Sequence, residues 1–482
     1  MNLRPVLHLI AIMLAVLGMA IGLCAGIAWH YADPWQARIG MLASSGIVLA
    51  TGIVLFLLTR GPVELSRRDG FGIVTFGWLA AAILGSLPFM LTGVITSPTD
   101  ALFETMSGFT TTGASVLSNL EAVPRGVLFW RAMTHFFGGM GVLVLCVAIL
   151  PFLGVGGMQI YRAEMPGPSK DRLTPRIATT AKLLWGVYVF LCVAEAALLR
   201  LGGMDWFDAF CHAFATMATG GFSTRSASVA AYNSPYIETV IIVFMFLAGT
   251  NFALNYRALL GRPLCYFRDP EFRFYLGAWL TATVMIILSI YRTVYPSFGH
   301  AVRAAFFQST SIMTTTGFCT EDFDLWPGAT KVVLVLLMFI GGCAGSTGGG
   351  MKNIRVLVLL KKVVREITLF MQPQAVVKVK IGGEPIPQEV ISHISGFFIV
   401  FVLVFAVGSL VMTLFTPDLQ TAVTSVIATL GNIGPGLGGV GAVQNYSAIP
   451  AGGKVFLTLL MLLGRLELYT VLIVLLPGFW KR

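Results

Sequence analysis

Four stretches of this 482-residue chain carry residues whose types and spacing could do chemistry. They are ALFETMSGFTTTGAS (101–115), DAFCHAFATMATGGFST (208–224), AAFFQSTSIMTTTGFCT (304–320) and TAVTSVIATLGNIGPGLG (421–438). Each is an apolar segment rich in Ala, Ser and Thr that runs into an x-x-Gly step. Aligned on the glycine, the steps are Thr111-Thr112-Gly113, Ala218-Thr219-Gly220, Thr315-Thr316-Gly317 and Asn432-Ile433-Gly434. The chemistry open to such a step is cation coordination. Stripping an alkali cation of its water in a low dielectric costs on the order of tens of kcal/mol. Backbone carbonyls and threonine hydroxyls replace the lost water oxygens without adding a fixed charge. Glycine permits the backbone angles that turn successive carbonyls toward one axis. A single step of this kind would read as an outer loop or a small-residue helix contact. Four of them, each behind a similar segment, predict a ring of oxygens at each level of a filter.

The elements that must hold such a ring follow from composition. The chain is 56% hydrophobic and 11% charged, against roughly 25% charged residues in soluble domains. Apolar runs fall at about 6–29, 39–59, 71–95, 125–151, 178–201, 236–260, 273–295, 330–352, 390–415 and 453–478. They are continuous rather than alternating, so they predict membrane helices and not barrel strands. The first run is too long for a leader core and a second follows at once, so it is expected to be retained. With a cytoplasmic N-terminus, 22 of the 32 Lys and Arg residues fall inside and nine outside, leaving Arg465 within the last run. That is the positive-inside pattern for ten spans with both termini cytoplasmic. The net charge of +10 therefore calls for no nucleic acid. All four short segments land outside, where eleven carboxylates stand against nine inside. An acidic outer face would concentrate cations, although inside sorting of Lys and Arg alone would produce the same contrast.

The aligned glycines recur at intervals of 107, 97 and 117 residues, and a period of about 100 residues signals internal duplication. Each unit reads span, short helix, span. The short helices have around 12 residues, too few to cross a bilayer. Asp100, Asp205 and Asp418 are expected N-caps, with Ser297 serving the third. Helix C-termini aimed at the ring would add partial negative charge. The predicted fold is an all-α integral membrane protein of four fused span–pore-helix–span repeats around a central pore, with two extra N-terminal helices. The expected segments are 1–69 for the extra helices and 70–176, 177–270, 271–380 and 381–482 for the repeats.

Two features lie along the expected pore. IGGCAGSTGGGMKN (340–353) interrupts the eighth run with too many glycines for a continuous helix. Its Gly345-x-x-x-x-Gly350-Met351-Lys352 order places lysine one residue late for a phosphate-binding loop, and no strand precedes it. Two readings remain, close helix packing through small residues and a flexible loop that breaks the span. Arg465 lies in MLLGRLELYT, in the middle of the last run. A charge at that depth faces a cavity or a partner. Glu195 and Glu467 are the candidate partners, the latter poorly placed two residues away on a helix. Beyond the loop, KNIRVLVLLKKVVREITLF (352–370) predicts a basic amphipathic helix, either lying on anionic lipid or docking a regulatory subunit. The seven cysteines and six histidines are dispersed without metal-ligand spacing.

The four TTG-like steps resemble those of the TrkH/KtrB superfamily of potassium transporters, and the two extra N-terminal runs resemble its TrkH branch. The resemblance covers nearly the whole chain. It implies potassium as the ion held at the filter residues. It implies that Gly341–Gly350, with Gly345, Gly348, Gly349 and Gly350 at its core, is an intramembrane gate. It implies that Arg465 points into the pore beneath the filter and helps hold it shut. A homodimer in the inner membrane and a cytosolic nucleotide-binding partner of the TrkA type are further expectations, since this chain shows no nucleotide fingerprint of its own. The fourth step, GNIGPG, has no threonine, so strict potassium selectivity is not implied. An ion-coupled secondary carrier, with proton or sodium symport, is the alternative. An enzyme would need a cluster of nucleophile, base or metal ligands, and the sequence offers none.

Overall fold

A computed structural model describes residues 2–61, 66–148 and 173–480. Leu3–His30 and Trp35–Leu58 form a helical hairpin. Small residues set its spacing: a Cβ on Gly18 would lie 2.7 Å from the Leu49 nitrogen, and one on Gly52 2.7 Å from that of Ala15. Lipid gives apolar helices no reason to associate, so close packing of this kind carries the contact. Asp33, in the hairpin turn, accepts hydrogen bonds from the amides of Arg125 (3.1 Å) and Gly126 (2.8 Å). Those amides open the helix Arg125–Ala148, where the first turn has no intrahelical acceptors. The hairpin is thereby tied to the first repeat.

The repeats follow in chain order. The first contains Arg67–Gly85 with Leu87–Leu91, then Pro98–Phe109, then Arg125–Ala148. The second contains Leu173–Leu201, Trp206–Met217, and the pair Pro235–Ala248 and Phe252–Leu259. The third contains Pro270–Ile290, Phe298–Met313 and Gly328–Phe339, and the fourth Gln388–Met412, Leu419–Leu430, and the pair Ala451–Arg465 and Tyr469–Leu475. Among the described residues, six helices are long and apolar enough to cross a membrane, or eight if each bent pair counts as one. The four short helices occupy the four predicted segments.

Three of the ten apolar runs are not straight spans. The pair at 235–259 bends by 112° and the pair at 451–475 by 116°. The first bend falls at Gly249-Thr250-Asn251, where the Asn251 side chain caps the new helix by accepting from the Ala253 amide at 2.9 Å. The second falls at Glu467 and Leu468, which both take positive φ (63° and 40°). The run at 330–352 is helical only to Phe339, and the chain re-enters a helix at Asn353–Met371, the predicted basic segment. The caps also need one correction. Asp205 and Asp418 cap their helices, but the first short helix is capped by Ser97, with Asp100 in its first turn. Ser-Pro-Thr-Asp is a stronger start than Asp alone because proline fits the first helical position. Ser297 holds the cap position of the third without a side-chain bond.

Candidate functional site

Each short helix ends in the same backbone motif. Thr111, Thr219, Thr315 and Asn432 take left-handed φ of 50°, 56°, 60° and 54°. Their amides return to the carbonyls of Gly108, Thr216, Ile312 and Thr429 at 2.9–3.2 Å. The next amides, of Thr112, Gly220, Thr316 and Ile433, return to Ser107, Ala215, Ser311 and Ala428 at 2.8–2.9 Å. This is a Schellman ending, which normally takes glycine or asparagine at its left-handed residue. A β-branched residue there is a genuine outlier, with a cost of about 1–3 kcal/mol. Three threonines carry that strain in three separate repeats.

The motif corrects the alignment of the second step. Ala218 is the C-cap, equivalent to Thr110, Thr314 and Gly431. The step proper is Thr219-Gly220-Gly221, one residue later than the glycine alignment predicted. Gly113, Gly221, Gly317 and Gly434 all have positive φ (83°, 75°, 82° and 100°). Their contacts close a ring. A Cβ on Gly113 would lie 2.1 Å from the Gly220 carbonyl oxygen, and one on Gly221 2.0 Å from that of Thr316. A Cβ on Gly317 would lie 2.0 Å from the Ile433 oxygen, and one on Gly434 2.6 Å from that of Thr112. Each third-position glycine thus abuts the middle carbonyl of the next repeat, in cyclic order. Only hydrogen fits between them.

The middle residue of the second step is glycine for a local reason. A Cβ on Gly220 would lie 2.4 Å from Nδ1 of His135. That buried ring stacks on Phe222 at 4.1 Å and fills the space that a side chain at position 220 would need. Neither ring nitrogen has a hydrogen-bond partner among the described residues.

Polar links tie each repeat to the next around this ring. Buried Arg131 donates to Glu104 Oε1 (2.6 Å) and to the Ser223 carbonyl (2.9 Å), joining the first repeat to the second. Glu104 also accepts from Ser115 Oγ and the Val116 amide, so this desolvated pair is satisfied on both sides. Arg303 and Glu238 (3.3 Å) join the third repeat to the second. Asp324 accepts from the Gly438 amide (3.1 Å) and Gln420 (3.2 Å), joining third to fourth. Lys454 and Asp100 (2.8 Å) join fourth to first. Hydrogen bonding by the Thr421 amide and hydroxyl holds the Asp418 carboxyl below the usual carboxylate range. Burial pushes Asp324 above it.

The glycine-rich segment is packed against the left-handed end of the ring. The Gly349 amide donates to Thr315 Oγ1 at 2.7 Å, and Thr347 Oγ1 to the Met217 carbonyl at 2.9 Å. Cβ atoms on Gly348 and Gly349 would lie 3.2 Å from the Thr314 oxygen and 2.3 Å from the Gly431 oxygen. Gly345 and Gly350 take φ of 74° and 61°. The break in the second repeat cradles the segment's flank: the Cys343 amide donates to the Gly249 carbonyl (2.8 Å) and the Phe252 amide to that of Gly345 (3.0 Å). The segment's ends meet where the Gly341 amide donates to the Met351 carbonyl (2.9 Å). Arg465 is buried and donates to the carbonyls of Thr347 (2.8 Å) and Gly138 (3.2 Å). It therefore joins the segment to the first repeat's inner helix. Glu467 pairs instead with Arg355.

The site residues predicted from sequence are thus brought together in one place, with Ala218 displaced to a cap and Gly221 added. Gly249–Asn251 and His135 were not foreseen. The Gly-Thr-Asn triplet was the available signal for the first; nothing in the sequence marks the second.

Chemically, the arrangement offers stacked backbone carbonyls and threonine oxygens at the C-terminal ends of four converging helices. Thr111 Oγ1 is buried at the left-handed level without a partner among the described residues. The profile of the TrkH family, described as cation transport protein, matches residues 41–478. The Trk system potassium uptake protein TrkH of Escherichia coli K12 is 46% identical over 443 residues, covering 90% of this chain and 91% of that protein. The TrkH protein of Halomonas elongata is 42% identical with both chains fully covered. The crystal structure of the potassium transporter TrkH from Vibrio parahaemolyticus superposes with a TM-score of 0.91 over the full length of both chains, at 38% identity.

Proposed function

Because the chain belongs to the TrkH family of cation transport proteins, we propose that it takes up potassium through a pore lined by the four left-handed turns. The observation that carries this is the cyclic contact of four glycines with four carbonyls. Thr111-Thr112-Gly113, Thr219-Gly220-Gly221, Thr315-Thr316-Gly317 and Asn432-Ile433-Gly434 supply the oxygens that replace the ion's water. The five segments 1–69, 70–176, 177–270, 271–380 and 381–482 are its building units. The segment Gly341–Gly350 is the gate, seated against the inner end of the filter, and Arg465 adds a positive charge there. The helix Asn353–Met371 faces the cytosol with both termini. Its exposed Val363, Val364, Ile367 and Phe370 offer a surface to a TrkA-type subunit, to a second copy of the chain or to lipid.

The test is cation flux into liposomes holding the purified protein, comparing potassium, rubidium and sodium with and without gradients. Potassium flux that needs no second ion is the expected result, with rubidium close behind because the fourth quarter lacks threonine. Strict dependence on a proton or sodium gradient overturns the channel-like mechanism in favour of symport. One observation favours that second reading: neither carboxyl oxygen of Glu195, buried in the span Leu173–Leu201, has a hydrogen-bond partner among the described residues. An intramembrane carboxyl of this kind is a default candidate for a proton site.

The His135 packing gives a sharper check on the ring. Gly220→Ala drives a methyl into the imidazole and lowers potassium flux by roughly tenfold or more, as overpacking typically costs 1–3 kcal/mol. Adding His135→Ala vacates that space and restores most of the flux. A double variant as poor as the single one would show that the ring, not the space behind it, sets the requirement for glycine.

A further inference from the structure

We propose that Glu271 is a positioning residue that latches the glycine-rich segment in its seated state; the proposal rests on reading that segment as the gate. Glu271 lies in the first turn of Pro270–Ile290 and is buried. Its Oε1 accepts from the Ala344 amide at 2.7 Å and from the Ile354 amide at 3.0 Å. Ala344 belongs to the glycine-rich segment. Ile354 belongs to the first turn of the helix that follows it. One carboxyl oxygen therefore staples the base of the segment on both sides.

The stretch between those two amides contains Thr347, Gly348 and Gly349, which lie against the filter end. The segment's other ties are of different kinds. Lys352 Nζ donates to the Gly348 carbonyl, which binds the segment to itself. Asn353 Nδ2 donates to the Gly341 carbonyl at 2.5 Å, which closes its ends. The amide of Cys343 and the carbonyl of Gly345 hold it to the broken helix of the second repeat, and Arg465 holds its Thr347 carbonyl from the last bent pair. Glu271 ties it to an unbroken 21-residue helix, a fixed reference in the bilayer. The first-turn amide at Ile354 also carries the positive end of its helix, which favours a carboxylate there.

If Glu271 goes, two buried amides lose their acceptor while the seated geometry stays sterically possible. The segment then leaves its seat more often. Buried Cys343, one residue before Ala344, reports that departure. The experiment uses the full-length purified protein. A maleimide reagent is added, labelling at Cys343 is followed by peptide mass spectrometry, and potassium flux is measured in parallel. Labelling tracks the population of the opened state, and loss of two buried hydrogen bonds raises it at least about tenfold. Glu271→Ala is expected to show that rise together with higher flux. Glu271→Gln keeps an Oε1 acceptor and is expected within about twofold of the parent.

Faster labelling with unchanged flux keeps the latch and overturns the gate reading. Unchanged labelling in folded Glu271→Ala overturns the latch whatever the flux does, and Arg465→Ala in the same assay then reports whether the gate reading survives. Should Glu271→Ala fail to insert, Glu271→Asp withdraws the carboxylate by one methylene. It is expected to label faster too, and parent-like labelling overturns the latch.

Discussion

Gly317→Ala lowers potassium uptake by about 100-fold or more while leaving the protein in the membrane at parental abundance. Gly317 has φ of 82°, a region that costs an alanine roughly 1–2 kcal/mol. That cost alone would be tolerable in a chain of this size. The decisive term is the 2.0 Å approach of the added Cβ to the Ile433 carbonyl oxygen. Pro435 Cδ, at 2.8 Å from the same point, blocks the sideways escape. The Ile433 carbonyl must rotate or the fourth quarter must retreat, and either movement removes an oxygen from the ring. A misplacement near 1 Å at a coordinating or reacting group costs about 100-fold, so flux is expected to drop by that factor or more. Gly203→Ala is the control: φ there is 100°, but no atom lies within 4 Å of the added carbon. It carries the backbone strain without the collision and should transport normally. Parental flux in Gly317→Ala, with normal insertion, would overturn the assignment of these turns as the ion path.

This prediction depends on an alignment that was only partly legible in the sequence. The apolar runs placed the long helices but not the breaks inside three of them, and the Ala/Ser/Thr-rich segments placed the four short helices, because both signals are local. The TGGFS stretch was ambiguous because it offers two successive glycines. Which of them stands third is decided by backbone angles: Thr219 and Gly221 take positive φ while Gly220 does not. The glycine at the middle position reflects His135, 85 positions away, against which a Cβ on Gly220 would collide, and no local pattern announces it. The bend at Gly249-Thr250-Asn251 looked like small residues inside a span, since apolar periodicity is blind to a break that keeps its composition. Glu271 carries no local signal, because its two amide partners lie 73 and 83 residues further on.

The strained threonines show why such positions escape propensity arguments. A left-handed helix ending asks for glycine, yet three of the four repeats place threonine there. The hydroxyls explain the choice. Thr315 Oγ1 accepts from the Gly349 amide of the glycine-rich segment, and Thr111 Oγ1 stands buried without a partner among the described residues. Asn432 performs a related task in the fourth quarter, donating to Thr112 Oγ1 at 3.0 Å and to the Met461 carbonyl at 2.9 Å. The left-handed level is thus stitched to the glycine-rich segment in one repeat and to the neighbouring repeat in another. On the proposed reading, four unequal repeats couple the gate to one wall of the filter, which four identical subunits could not do.

Arg465→Ala raises potassium flux. Two effects act in the same direction. The guanidinium is a fixed positive charge buried near the inner end of the ring. An ion passing at about 8 Å, with an effective dielectric near 20, feels a repulsion of roughly 2 kcal/mol. At 1.4 kcal/mol per decade its removal is worth about 30-fold. The same side chain donates to the Thr347 carbonyl of the glycine-rich segment and to the Gly138 carbonyl of the helix Arg125–Ala148. Alanine removes that bridge, so the segment leaves its seat more readily. Arg465→Lys separates the two contributions, since it keeps the charge but not a planar fork able to reach two carbonyls in different elements. If repulsion dominates, the lysine variant stays near the parental flux; if tethering dominates, it approaches the alanine variant. Flux in liposomes at matched protein density is the measurement. A flux equal to or below the parent's in a normally inserted Arg465→Ala protein would remove the arginine from the closing machinery and leave it as a structural tie between the first and third repeats.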